Sequence, residues 1–215
     1  MIKYIFLPII IAYILLSIIF SKLLQKKVEK YSKIKVEFEK DTIDIIKEIL
    51  NENNITDITF NYKDNIINSF YDYKNKRLYL SKNSNSLSSR AILLHELGHI
   101  LQFNENYKPL NKRTKMLPIF NVLDIFTPLL LIIGLLLTDI VLYISIICFV
   151  FCIMLNSLNV KIERDASRRA LEVAEKINML NKMEYKKMKL LLDLSKFRYI
   201  FSLFATFNKF KKSIF

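Results

Sequence analysis

The 215-residue sequence predicts a mainly α-helical membrane protein with a folded polar part, and three observations carry that reading. Hydrophobic residues make up 52% of the chain, against two Gly and four Pro. That excludes collagen-like, linker-like and Pro-rich low-complexity chains and, despite a formal net charge of +13, a disordered one. The apolar residues come in unbroken blocks rather than at the helical or strand intervals of a soluble domain. Lys and Arg gather at the ends of those blocks. At this length one domain with an appendage fits, and two full domains do not.

The first block, Tyr4 to Phe20, is uncharged and about 17 residues long, the short end for a membrane-crossing helix. No small-x-small cleavage site follows it, and it runs directly into Ser21-Lys22-Leu23-Leu24-Gln25-Lys26-Lys27. Residues 1–20 therefore read as an uncleaved anchor rather than a secretory signal.

Between Val36 and Asn53 the apolar positions Ile43, Ile46, Ile49 and Leu50 recur at helical spacing, with Asp41 available as a cap. Three short runs rich in Ile, Phe and Tyr follow: Ile58–Tyr62, Asn68–Tyr73 and Arg77–Ser81. Asp72-Tyr73-Lys74-Asn75-Lys76 between the last two is turn chemistry and predicts a hairpin. Ser86–Ser89 then caps a helix running through Arg90 to Gln102.

The second apolar block, Met116 to Asn159, holds only Asp124 and Asp139 as charges. At about 44 residues it is too long for one span and right for two. Thr138-Asp139 is the natural turn, which places the spans near 117–137 and 140–158. Pro118, Pro128 and Gly134 are tolerable in membrane helices. Cys148 and Cys152 lie inside this block without acidic or His neighbours, and read as small hydrophobes rather than ligands or a disulfide.

Charge sets the orientation. Lys22, Lys26, Lys27 and Lys30 follow the first block; Lys108, Lys112, Arg113 and Lys115 precede the second; Lys161, Arg164, Arg168 and Arg169 follow it. The other side has only Lys3 and the Thr138-Asp139 turn, so everything substantial is expected in the cytoplasm of a multi-pass membrane protein. Span topology and anionic lipid account for this charge, and nucleic acid is not expected as a partner. The expected organisation is an anchor at 1–20, a cytoplasmic stretch at 21–115, a transmembrane hairpin at 116–159 and a second cytoplasmic stretch at 160–215. The aromatic and basic tail, Leu190–Phe215, has only about ten uncharged residues in succession, Tyr199–Asn208. Too short to span, it is expected to lie at the interface or on the core.

The chemistry lies in His95-Glu96-Leu97-Gly98-His99. This is H-E-x-x-H, and it holds both histidines of the chain. Residues four apart share a helix face, so two imidazoles can grip one Zn²⁺. Glu96 is placed to take a proton from water on the metal rather than to bind the metal. Leu93, Leu94, Leu97, Ile100 and Leu101 make the helix largely buried, where unpartnered imidazoles would be costly. Two His leave a catalytic zinc site one protein ligand short, and the third must be Asp, Glu or Cys. Glu163 is the best candidate. It sits where the chain leaves the second block and is expected to open a helix, with small residues Ala166, Ser167 and Ala170 on its face.

These motifs resemble the YugP-type neutral zinc metallopeptidases, bacterial membrane proteins with an H-E-x-G-H-x-x-Q helix, an apolar pair of segments, then E-x-D-A-S-x-R-A. Here the motifs are complete at His95 to Gln102 and Glu163 to Ala170. Weaker likenesses are Lys30-Tyr31-Ser32-Lys33, Leu80-Ser81 and Leu117-Pro118-x-x-Asn121. The resemblance implies a zincin-like, gluzincin-type core: the H-E-x-x-H helix, a glutamate helix and a small β-hairpin or sheet. It also implies an endopeptidase with Zn²⁺ on His95, His99 and Glu163, Glu96 as catalytic base, and a peptide or protein substrate. Asp165 and Ser167 are the candidates for supporting the ligands. Two departures stand out. The family's Asp-His-Tyr-Asp-Pro stretch appears here as Ser69-Phe70-Tyr71-Asp72-Tyr73, and Ser167 stands where better-known gluzincins carry Asp. The rival readings are a membrane protease of the HtpX or prenyl-protein kind, expected to carry E-x-x-A-D instead, and a non-catalytic membrane scaffold retaining a structural zinc. Oligomeric state is not legible.

Overall fold

Nothing between Asp139 and Lys176 breaks a helix, since that stretch contains neither Gly nor Pro, and it forms one α-helix of 38 residues. The computed structural model describes residues 2–36, 41–63, 68–81 and 85–200. It is mainly helical: α1 (Ile2–Ser32), α2 (Thr42–Glu52), α3 (Leu87–Asn104), α4 (Lys108–Leu136), α5 (Asp139–Lys176) and α6 (Lys182–Ser195) accompany a small sheet of β1 (Thr59–Tyr62), β2 (Phe70–Asp72) and β3 (Arg77–Leu80). A short 3₁₀ turn, Lys196–Tyr199, closes the described chain. Most of the expected tail segment lies outside the described residues.

Two compact units divide this chain. The first comprises, among the described residues, 2–23, 112–161 and 196–200. Its internal packing centres on Ile10, Leu131, Phe149 and Cys152, with Tyr13 edge-on to Phe149 at 5.2 Å between ring centroids. α4 continues through Pro118 and Pro128. α4 and α5 are separated only by Leu137 and Thr138, and Gly134 lets the two helices touch beside that turn: a Cβ there would stand 2.6 Å from Leu142 Cα. α1, α4 and α5 are each long and apolar enough to cross a membrane. α1 outruns the apolar block expected for it, because the Lys- and Glu-containing residues after Phe20 are good helix formers.

The second unit comprises the described parts of 24–111 and 162–195. Asp41 caps α2 by accepting from the Ile43 N–H at 3.4 Å, and α2 buries Ile43, Ile45, Ile46, Ile49 and Leu50. In the sheet, β3 lies centrally in the order β1-β3-β2, antiparallel to β2 and parallel to β1. The hairpin turn is held by the Asp72 carboxylate, which accepts from the N–H groups of Lys74 (3.0 Å) and Asn75 (3.3 Å). Leu78 and Leu80 point into the core. Ser86 caps α3 by accepting from the Ser89 N–H at 3.2 Å. α3 is buried almost all round, as a helix apolar on every face must be, against α2, the sheet and residues Ala170 to Leu192.

Candidate metal centre

His95 and His99 project from one face of α3, with ring centroids 4.7 Å apart and planes at 81°. Glu163 comes to them from α5. It does not open a helix, as the sequence reading expected; it lies well inside α5, because no residue between Asn156 and Glu163 interrupts the run. The approach depends on the smallest side chains. A Cβ on Gly98 would lie 2.4 Å from the Ala166 carbonyl oxygen, so α3 and α5 touch backbone to backbone one turn from the ligands.

That contact brings Glu163 Oε2 to 2.9 Å from His95 Nε2 and 3.7 Å from His99 Nε2. One ligand atom from each residue lies within 4.8 Å of the other two, a group that could hold a metal ion. His95 and Glu163 are buried and His99 half-buried. Burial acts to raise the Glu163 pKa, but the two imidazoles override it and hold the carboxyl well below its ordinary range. For His99 burial acts downward, and the hydrogen bond and charge of Glu163 override it, pushing the imidazole up to about 9. The physical content is simple: a buried carboxylate between two ring nitrogens favours positive charge at its centre.

The ring nitrogens facing away from Glu163 are held too. Ser167 Oγ lies 3.2 Å from His95 Nδ1. Gln102 Oε1 lies 3.0 Å from His99 Nδ1, and Gln102 Nε2 donates to the Ile162 carbonyl and to Asp165 Oδ2, each at 2.9 Å. Asp165 also accepts from Arg168 and Arg169, each at 2.7 Å. Arg169 extends the network to both carboxylate oxygens of Glu105, at 2.6 and 2.7 Å. Burial acts to raise the Asp165 pKa, but these donors leave it below the usual carboxylate range.

Glu96 is half-buried beside the pair. Its Oε2 accepts from the Tyr71 backbone N–H at 2.9 Å, so edge strand β2 reaches the motif glutamate directly. Phe103 on α3 stacks on Tyr73 at 5.1 Å and meets Tyr71 edge-on at 6.2 Å, pinning that strand against the helix. Every residue named from the sequence is thus at one locus: His95, Glu96, His99 and Glu163, with Ser167 on one imidazole and Asp165 one residue removed from the other. Sequence reasoning assigned no part to Gln102, Arg169, Glu105 or the Tyr71 backbone. The i, i+3 spacing from His99 to Gln102 was a usable signal, whereas a backbone N–H is offered by every non-proline residue.

A family model described as "Putative neutral zinc metallopeptidase" matches residues 5–215. The chain is also similar to the "Putative membrane protease YugP" of Bacillus subtilis (strain 168), 29% identical over 149 residues. That match covers 67% of this chain and 66% of the relative, just under two thirds of the relative's length. No solved structure matches.

Proposed function

The chain belongs to the neutral zinc metallopeptidase family, and on that premise we propose that it is a membrane-integral zinc endopeptidase with its site facing the cytoplasm. The observation that carries the proposal is the donor set. Two Nε2 atoms and one carboxylate oxygen converge from two helices, and two His with one Glu is a set that leaves a catalytic zinc an open position. His95, His99 and Glu163 would hold the ion, with Ser167 steadying His95. When bound, zinc supplies Lewis acidity that makes water a nucleophile near neutral pH and polarises a carbonyl.

The rest falls to the chain's own residues. The Glu96 carboxylate accepts the proton of the attacking water and returns it to the departing amine. Its bond from the Tyr71 N–H aims one oxygen and leaves the other for the proton. β2 is an edge strand, suited to pairing with an extended peptide through main-chain groups, which makes side-chain specificity loose. This is the zincin arrangement, with α3 and α5 as its metal-bearing helices. Residues 1–20 serve as anchor and 116–159 as transmembrane hairpin, with 21–115 and 160–215 in the cytoplasm, in line with the apolar side chains that α1, α4 and α5 leave exposed. An intact Glu96 supports the enzyme over a structural zinc site, which would not need it.

Detergent-purified protein should hold about one zinc ion per chain, and His99→Ala should lose it, because binding needs the assembled ligand set. Full zinc retention by His99→Ala, measured by elemental analysis, would overturn the ligand assignment.

A further inference from the structure

Gln102 is a fully buried amide on the metal-site helix, at 0% exposure. Its two Nε2 hydrogens go to groups that can only accept, the Ile162 carbonyl and the Asp165 carboxylate. The orientation of the amide is thereby determined, and Oε1 faces His99. A carbonyl oxygen only accepts, so the proton in that bond belongs to His99 Nδ1. Nδ1 thus keeps its proton, and Nε2, the atom turned towards Glu163, is the one left to offer a lone pair to a metal.

Asp165 in its turn is held by Arg168 and Arg169, and Arg169 by Glu105, the residue that caps the C-terminus of α3. The hydrogen bonds therefore leave α3 at Gln102, pass through Asp165 and Arg169 on α5, and return to α3 at Glu105. We propose that Gln102 is a positioning residue for the metal centre: one buried amide selects the His99 tautomer and ties it to the docking of the helix that carries Glu163. This rests on the zinc reading above. It goes beyond that reading by making ligand geometry conditional on helix–helix contact, so that the third ligand and the correct His99 tautomer arrive together.

The full chain in detergent tests this in two ways. With only two histidines, ¹⁵N-histidine labelling gives an unambiguous ring spectrum. In the zinc-loaded wild type, His99 should show a protonated, slowly exchanging Nδ1 and a metal-bound Nε2; ligation through Nδ1 would overturn the proposal. For affinity, Gln102→Met keeps the volume and removes all three bonds, and zinc competition against a chelator should read about 10–100-fold weaker binding. The swap Gln102→Glu with Asp165→Asn gives up the bond to the Ile162 carbonyl but keeps an acceptor towards His99 and a donor–acceptor pair with residue 165, and should bind zinc more tightly than Gln102→Met. Wild-type affinity in Gln102→Met, or a swap as weak as Gln102→Met, would overturn the positioning role. Each of those outcomes presupposes a zinc-binding wild type, so a wild type that binds no zinc is a separate result, against the function reading itself.

Discussion

On α3, Leu94 and Leu97 are 0% exposed and Leu93 is 1%; on α4 and α5, Leu136 is 76% exposed, Ile140 73% and Ile147 69%. Polar side chains are buried in both: Thr127 and Ser145 of the first unit and Gln102 of the second are 0% exposed. Their partners differ in part, although Thr127 Oγ1 also meets Cys152 Sγ across α4 and α5 at 3.4 Å. The Ser145 and Ser157 hydroxyls donate to carbonyls of their own helix, those of Leu142 and Met154, a bond that asks nothing of a neighbour. In the second unit the Gln102 amide and the Arg169 guanidinium reach across from one helix to another. Leucine content alone does not make a core. The second unit hides most of the apolar surface of its helices and ties α3 to α5 with amide and charged groups; the first leaves many large apolar side chains of α1, α4 and α5 exposed, as the proposed hydrocarbon surround would require.

The largest expected effect breaks this comparison at its surface. Ile147→Lys puts a charge at the middle of a proposed span and should cost about 2.5–3.5 kcal/mol, read as a loss of membrane-inserted protein. Met183, 66% exposed on α6 of the second unit, is the control: Met183→Lys should fall within about 0.5 kcal/mol of wild type. Equal, small effects at both positions would contradict a hydrocarbon surround for the first unit.

The next effect uses the chain's two glycines, one in each unit. Gly98→Ala drives a methyl against the Ala166 carbonyl oxygen and Gly134→Ala against the Leu142 backbone. Each should destabilise by about 1–3 kcal/mol, the usual cost of overpacking. Only Gly98→Ala should also weaken zinc binding, because Ala166 lies three residues from Glu163 on α5. A Gly98→Ala protein with unchanged zinc affinity would show that close helix approach does not set the ligand geometry.

Smallest is the Glu105–Arg169 pair at the rim of the second unit. The Arg169 hydrogen bond holds the Glu105 carboxyl below its ordinary range. A depressed carboxyl contributes stability above its unfolded pKa and loses it as pH falls through the lowered folded value. Glu105 is 51% exposed at its side chain, and solvent screening limits the pair to below about 1 kcal/mol. Glu105→Gln should therefore destabilise slightly at neutral pH and not at all in strong acid, with the difference shrinking in high salt; denaturation midpoints at both pH values check it.

Much of this was legible in the sequence, for identifiable reasons. The apolar blocks show their helices by length alone, and Asp41, Ser86 and the Asp72–Lys76 turn mark element boundaries by local side-chain chemistry that folding leaves intact. His95, Glu96 and His99 needed only helical periodicity. Glu163 needed the absence of a third His together with small residues on its own face. What stayed hidden was non-local. The parallel pairing of β1 with β3 depends on which strand slots between which, and the start of Glu163's helix was misplaced because no signal marks where α5 leaves its apolar stretch. Gln102 sits three residues after His99 in plain view, but its partners lie 60 and 63 residues away, which no local pattern reveals.

Whether Glu96 moves the proton in a zinc-dependent peptide hydrolysis, as proposed, is decided by measuring peptide cleavage and zinc content of wild type and Glu96→Gln side by side. The substitution keeps the side chain's shape and an oxygen for the Tyr71 N–H but removes its ability to accept the proton of water. An active wild type is expected beside a fully zinc-loaded Glu96→Gln that is slower by about 10²–10⁴-fold. A Glu96→Gln protein that cleaves at the wild-type rate would contradict it.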